Sequence, residues 1–312
     1  MVAAIGISVV DHIMVVNGFN DTEGSYHTEK YITCGGGMAA TALCAASKLG
    51  SRTRLFSLVG DDLNGRYILE GLADFGVDTA GVYELEGKTS AAGVILVDSE
   101  TGEKQFYSER FKSAYDAHDA QDSDDARADL DVSLLEGAEV LLLDGHWIEG
   151  SLKGARYAKA NGIPVVADFK RMYDGVESLF EYIDYFIVPE FFAGQLTGEL
   201  TVEGMLGALG SRQPGIPVIT QGGGGGTFLD GGTVKRYDTF EIDVVDSTGA
   251  GDSFHGAFCH FLSRGAALEQ CLNLSSAVGA LNCRSFGGRE SLPTTGELSR
   301  FLGIHGMKYD FI

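Results

Sequence analysis

Asp246-Ser247-Thr248-Gly249-Ala250-Gly251-Asp252-Ser253-Phe254 is the stretch on which the reading of this 312-residue sequence turns. Two glycines flank an alanine directly before an amphipathic pattern that runs to Ser263 and predicts a helix. Consecutive backbone N–H groups at a helix N-terminus form an anion-binding concavity, helped by the helix dipole. Asp252 then falls inside the first turn, and two readings of it are open. It is an ordinary first-turn acid favoured by the dipole, or it is a base that takes a proton from a hydroxyl attacking a bound phosphate. A carboxylate is electrostatically awkward beside a site that merely stores phosphate, and this gives the second reading its weight.

Two more glycine clusters lie upstream. Thr220-Gln221-Gly222-Gly223-Gly224-Gly225-Gly226-Thr227 follows the apolar run 217–219 and sets bare backbone at the carboxyl edge of a buried strand, where ligands sit in open α/β sheets. A flexible hairpin turn explains it equally well. Cys34-Gly35-Gly36-Gly37-Met38-Ala39-Ala40-Thr41 opens a small-residue helix ending at Leu49-Gly50. Its amides could meet an anion or a hydroxyl, or the small residues could serve close helix-to-sheet packing.

Around these clusters, short runs rich in Val, Ile and Leu alternate with helical patterns. Strands are predicted at 3–10, 54–59, 92–97, 139–143, 164–167, 185–188, 217–220, 226–229 and 233–237, several apolar at successive positions, as in strands buried on both faces. Helices are predicted at 38–49, 63–75, 149–160, 202–209, 250–263, 268–284 and 295–301. The alternation predicts an α/β fold with a mostly parallel central sheet flanked by helices. Residues 17–33 and 84–115 break the layer pattern and carry strand-like pieces at 31–33 and 105–107, which predicts a small β-sheet lid on a single domain, 1–312. The seven Asp of 116–131 read as a solvated acidic loop, with a metal site as the alternative.

The charge balance is 23 Lys+Arg against 44 Asp+Glu, net −21, which argues against nucleic acid as a partner. No apolar run approaches a membrane span, and Met1 to Val10 lacks the basic head and cleavage site of a secretory leader. Cys34, Cys44, Cys259, Cys271 and Cys283 form no CxxC pair, so they read as small buried hydrophobes in a reduced, cytoplasmic setting. Glycine, at 44 residues against five prolines, is about twice its average usage, which suits tight turns and close backbone approaches. No G-x-G-x-x-G follows the first strand and no G-x-x-x-x-G-K-[ST] exists, which disfavours a Rossmann dehydrogenase and a P-loop kinase.

Taken in order, the 246–254 signature, the Gly35–Thr41 helix start, the Val59-Gly60-Asp61-Asp62…Gly65 turn, Leu196-Thr197-Gly198 and the Thr220–Gly225 loop resemble the ribokinase-like (PfkB) carbohydrate kinases across 5–302. The resemblance implies transfer of the γ-phosphoryl of ATP, with Mg2+, to a sugar or nucleoside hydroxyl. It implies that Asp252 is the base and that Gly249, Ala250 and Gly251 stabilise charge on the transferring phosphoryl. Thr220, Gly222 and Gly225 match the nucleotide loop; Asp11, Gly36, Gly37 and Thr41 match the acceptor side. The lid, spanning about 12–33 and 84–115, would close over the sugar and form a homodimer contact. A monovalent cation is a further candidate. Lys170, beside Arg171 after a buried strand, reads as a contact to ATP phosphates or an anionic acceptor, or as half of a solvated pair. Arg110 and Lys112, beside the lid, are candidates for an anionic substrate. His146 is a weaker acceptor candidate, and Trp147 and His255 read as packing residues.

Two places depart from the family pattern. Pro189 and Phe192 stand where its Asn-x-x-Glu, which organises magnesium, should lie, leaving Glu190 as a shifted metal candidate. Thr41 stands in place of the sugar-binding Asn. The GGGMAATA run and 280–293 are similar to ketohexokinase-like and sulfofructose-kinase-like members, which implies a ketose or modified ketose acceptor. The alternatives are a nucleoside kinase of the same fold and a non-catalytic binding protein, the latter motivated by the missing Asn-x-x-Glu.

Overall fold

The computed structural model describes residues 1–19, 24, 26–101, 103–108 and 128–309. In chain order the large sheet is built from β1 (Val2–Ile5), β4 (Thr53–Gly60), β5 (Asp78–Leu85), β8 (Val140–Leu143), β9 (Val165–Asp168), β10 (Tyr185–Pro189), β11 (Ile216–Thr220), β12 (Gly226–Asp230) and β13 (Thr233–Tyr237). The small sheet holds β2 (Val9–Val16), β3 (Lys30–Gly36), β6 (Ala92–Asp98) and β7 (Lys104–Ser108). The helices are α1 (Met38–Lys48), α2 (Leu63–Asp74), α3 (Ile148–Ala160), α4 (Glu190–Thr197), α5 (Val202–Arg212), α6 (Ala250–Ser263), α7 (Leu268–Asn282) and α8 (Thr295–Ile304).

The large sheet has nine strands in the order β13-β12-β11-β10-β9-β8-β1-β4-β5. It is parallel from β5 through β11, and β12 and β13 extend it antiparallel. The chain leaves β1 to one side for β4 and returns on the other side as β8, so the strand order reverses at β1. Ligands bind at such a switch point, outside the carboxyl ends of the strands.

The central strands are buried on both faces, as their continuous apolar runs require. Val2 and Ala4 of β1 pack in the core under α1, α6 and α7, while Ala3 and Ile5 pack in a second core under α3. Val140 and Leu142 divide from Leu141 and Leu143 in the same way. The small-residue helix α1 lets α6 approach very closely: a Cβ on Gly256 would overlap the Ala42 carbonyl oxygen. That crossing brings the N-terminal end of α6 to the glycines that open α1.

The predicted strand 3–10 is two strands. β1 ends at Ile5, Gly6 to Ser8 cross over, and β2 begins the small sheet at Val9. Gly6 is needed there because a Cβ would run into the Asp144 carboxylate. That carboxylate accepts the Ile7 N–H (2.7 Å), the Ala39 N–H (3.2 Å) and the His146 N–H (3.0 Å), tying β1, α1 and the end of β8 together. The small sheet runs β3-β2-β6-β7. Glu84 belongs to the edge strand β5 of the large sheet instead. The helix α4, absent from the sequence reading, starts at Pro189 as N-cap and stops at Gly198 with φ 76°, both ordinary helix punctuation. Among the described residues no helix is long and apolar enough to cross a membrane.

Candidate active site

Helix α6 starts on Gly249, whose φ of 72° no β-carbon residue adopts readily, and whose α-carbon packs against Gly288. The Ala250 N–H makes a long bond to the Ser247 carbonyl (3.3 Å), and the Ser253 N–H bonds the Gly249 carbonyl (2.8 Å). Among the described residues no backbone carbonyl accepts from Gly251 or Asp252, so their N–H groups are left as donors at the helix start. A Cβ on Gly251 would meet nothing, so that side is open.

Asp252 is 9% exposed, and its carboxylate receives the Lys170 ammonium from just beyond β9. Burial alone would push the Lys170 ammonium down, but the Asp168 and Asp252 carboxylates hold it above the usual lysine value. Asp168, wholly buried at the end of β9, has neither carboxylate oxygen hydrogen-bonded among the described residues. Burial raises it, opposed by His255 and Lys170. The His255 ring sits 2.7 Å from the Gly251 carbonyl, 3.1 Å from the Ile187 carbonyl and 3.5 Å from Asp168, so it ties α6 to the sheet.

Across from Asp252 lies Asp11, on β2 of the small sheet, opposite Cys34 and Gly93. Its carboxylate fills the space where Gly36 and Gly93 lack side chains. Burial raises Asp11 to about 6, with Asp252 adding to the rise and Arg289 opposing it. Arg289 is 4% exposed; its Nε donates to Thr41 Oγ1 (3.1 Å) and its Nη2 to the Gly36 carbonyl. A Cβ on Gly35 would overlap its guanidinium, and one on Gly37 would overlap the Ile7 carbonyl. The three consecutive glycines thus make room for Arg289, for Asp11 and for the β1–β2 crossover. Thr41, placed by the sequence reading on the acceptor, is 1% exposed and engages Arg289 instead.

On the other side of α6 a cleft of about 240 Å³ is lined by Thr220, Gly222, Gly225, Ala250, Gly251 and the apolar Phe240, among others. Gly225 has φ 78°, and a Cβ there would strike the Tyr237 carbonyl. Gln221 donates to Glu190 (2.9 Å) and accepts from Thr227 (3.1 Å), fixing the loop to the start of α4. Pro189 is the α4 N-cap and Phe192 is fully buried in the core, so neither is a ligand. Among the described residues no group of three or more His, Cys, Asp or Glu is placed to hold a metal.

The sequence matches the pfkB family carbohydrate kinases over residues 1–295. The chain belongs to that family. It is 26% identical to a nucleoside kinase of Methanothermobacter thermautotrophicus, covering 97% of this chain and 96% of that protein. It is 26% identical to a ribokinase of Bacillus subtilis, covering 86% of this chain and 88% of that one. Arabidopsis thaliana ribokinase, solved with ribose and ATP, has the same fold: TM-score 0.81 at 23% identity, over 96% of this chain and 98% of that one.

In this pfkB kinase the structure brings Asp252, Gly249, Ala250, Gly251 and Lys170 to one end of the β1 switch point. Asp11 and Gly36 face them from the small sheet, and Thr220, Gly222 and Gly225 line the cleft beside them. Arg110 and Lys112 lie outside the described residues. His146 is engaged by Asp144 (3.2 Å) and by the Tyr173 hydroxyl (2.8 Å), and Trp147 packs edge-on against Tyr83. Arg289, Asp168 and Lys104 were not singled out from the sequence. Arg289 carries no local signal: it stands between the uncharged 285–288 turn and Glu290, with Arg284 just upstream.

Proposed function

We propose that this kinase transfers the γ-phosphoryl of ATP to a hydroxyl of a ketose or modified ketose, with Asp252 as general base. The observation that carries the reading is the placement of the Asp252 carboxylate one turn into α6, beside the open Gly251 amide and opposite Asp11. Asp11 accepts hydroxyls of the acceptor and holds one toward Asp252. Asp252 takes the proton of that hydroxyl as its oxygen bonds the γ-phosphorus and the bond to the β-phosphate oxygen breaks, releasing ADP. The open Gly251 amide donates to the transferring phosphoryl, the Ala250 amide joins it by giving up its long bond to Ser247, and Lys170 keeps Asp252 from repelling it. Thr220, Gly222 and Gly225 seat the nucleotide, whose base fits the apolar wall at Phe240. Mg2+ would come with the ATP phosphates, and Glu190, held by Gln221 of the nucleotide loop, is the carboxylate that could take it. The small sheet closes over the acceptor and excludes water. Its exposed Tyr31, Phe106 and Tyr107 are what a homodimer through the lid would cover.

A nucleoside acceptor is the second reading, favoured by the full-length likeness to a nucleoside kinase. ADP release from magnesium-ATP against ketoses, sulfonated and phosphorylated sugars, aldopentoses and nucleosides tests both, with Asp252→Asn as blank. One ketose well above the blank supports the proposal. A nucleoside above it replaces the acceptor. Silence with ATP bound returns the chain to a binding role.

A further inference from the structure

Lys104 lies on β7, an edge strand of the small sheet, yet its side chain spans 142 residues of sequence to the turn that precedes α6. Its ammonium bonds Asp246 Oδ1, Thr248 Oγ1 (3.1 Å) and Ser247 Oγ (3.3 Å). An ammonium has three N–H donors, and three oxygens receive them. The Asp246 side chain is 1% exposed and also accepts the Thr248 N–H (2.9 Å), the Thr248 hydroxyl (2.8 Å) and the Gly287 N–H (2.9 Å). Burial works to raise this carboxyl, but the bonds from Lys104, Gly287 and Thr248 outweigh it and hold it below the usual range. Taking the ammonium away would leave a buried carboxylate without its counter-charge.

The turn it grips runs directly into Gly249, Ala250 and Gly251, and the sheet that carries it also carries Asp11. Lys104 is opposite Val97 on β6, which is opposite Val15 on β2, four residues along the strand from Asp11. We propose that Lys104 is a positioning residue that latches the lid sheet to the phosphoryl-binding turn, so that the amides of 249–251 are set only when the acceptor-bearing sheet is in place. This rests on the kinase reading above for its consequence in turnover. The latch itself is a property of the protein without substrates.

Two variants separate a latch from a structural prop. Lys104→Ala removes the ammonium and leaves room for a small cation; Lys104→Met removes the charge and keeps the stem. Both should lose roughly 10–100-fold in kcat, since the phosphoryl-binding groups are misplaced without being removed. KM for ATP should move less than kcat, and added ammonium or methylammonium should restore turnover to Lys104→Ala but not to Lys104→Met. Amide hydrogen exchange across 247–252 should quicken in Lys104→Ala while α3 exchanges at the wild-type rate. Unchanged exchange across 247–252 overturns the latch whatever the kinetics show. If wild-type protein phosphorylates no acceptor, the kinase reading falls, and the exchange measurement still decides the latch.

Discussion

The Lys170 ammonium rests on the Asp252 carboxylate, joining the carboxyl end of the central sheet to the first turn of α6. On the proposed reading, the contact sets a cation where a carboxylate and an incoming phosphoryl group would otherwise repel. Asp252→Asn keeps the shape and hydrogen-bonding reach of the side chain and removes its basicity. We expect kcat to fall roughly a thousandfold or more, from lost general-base catalysis together with lost positioning, with folding retained. Steady-state turnover together with a thermal melt checks this; near-normal turnover would remove Asp252 from the base role.

Lys170→Met should be costly in a different way. It strands Asp252 and the wholly buried Asp168 near each other with no cation between them. The expected result is a lower melting temperature and a kcat loss of about 10–100-fold. Coupling to Asp252 is the diagnostic. In the Asp252→Asn background the same substitution should cost much less turnover, because the two groups act together. Equal losses in both backgrounds would show that Lys170 serves the phosphates alone.

Asp11 and His260 give the fold opposite responses to acid. Asp11, raised to about 6 by burial, holds its proton more tightly folded than unfolded. Its contribution to stability is complete below about pH 4 and is lost as pH rises through about 6. His260, lowered to about 4 by burial and by Arg264, contributes fully above about pH 6.5 and loses that contribution as pH falls through about 4. Asp11→Asn should therefore gain stability over the parent at pH 8, and His260→Gln should flatten the acid limb; melts between pH 4 and 8 read both. On the proposed reading, the ionised Asp11 is the form that accepts the acceptor's hydroxyls. The acceptor KM should climb below about pH 6 while the ATP KM stays level, and Asp11→Asn should abolish that inflection.

The α1–α6 crossing makes a fourth prediction. A methyl group at Gly256 meets the Ala42 carbonyl, which is backbone and cannot turn aside. Gly256→Ala should cost about 3 kcal/mol or more, the upper end of overpacking effects. Because Asp252 lies one turn earlier on the same helix, turnover should suffer before ATP binding does. A melt and a nucleotide titration on the purified variant test the order of loss.

What the sequence disclosed follows from the range of the forces involved. The strands at 140–143 and 165–168 were legible because burial on both faces writes itself as an unbroken apolar run. Asp252 was legible because its glycines and its helix are its immediate neighbours. The break between β1 and β2 was not, since apolar residues continue across Gly6 and only the Asp144 carboxylate, far along the chain, explains the turn. Lys104 and Arg289 were silent for the same reason. Each is a single charged residue whose partner lies 142 or 248 positions away, a distance no local pattern spans.

The fit of Arg289 against Gly35 bears on how this kinase could change over generations. The arginine fills the void left by a glycine far upstream in the chain, so two distant segments specify one shape between them. A descendant that gains a side chain at 35 must trim the residue at 289 in step. Exchange of the amino-terminal half with a cousin carrying another residue there would part a matched pair. A library that varies 35 and 289 together should therefore find folded members that single-site libraries miss.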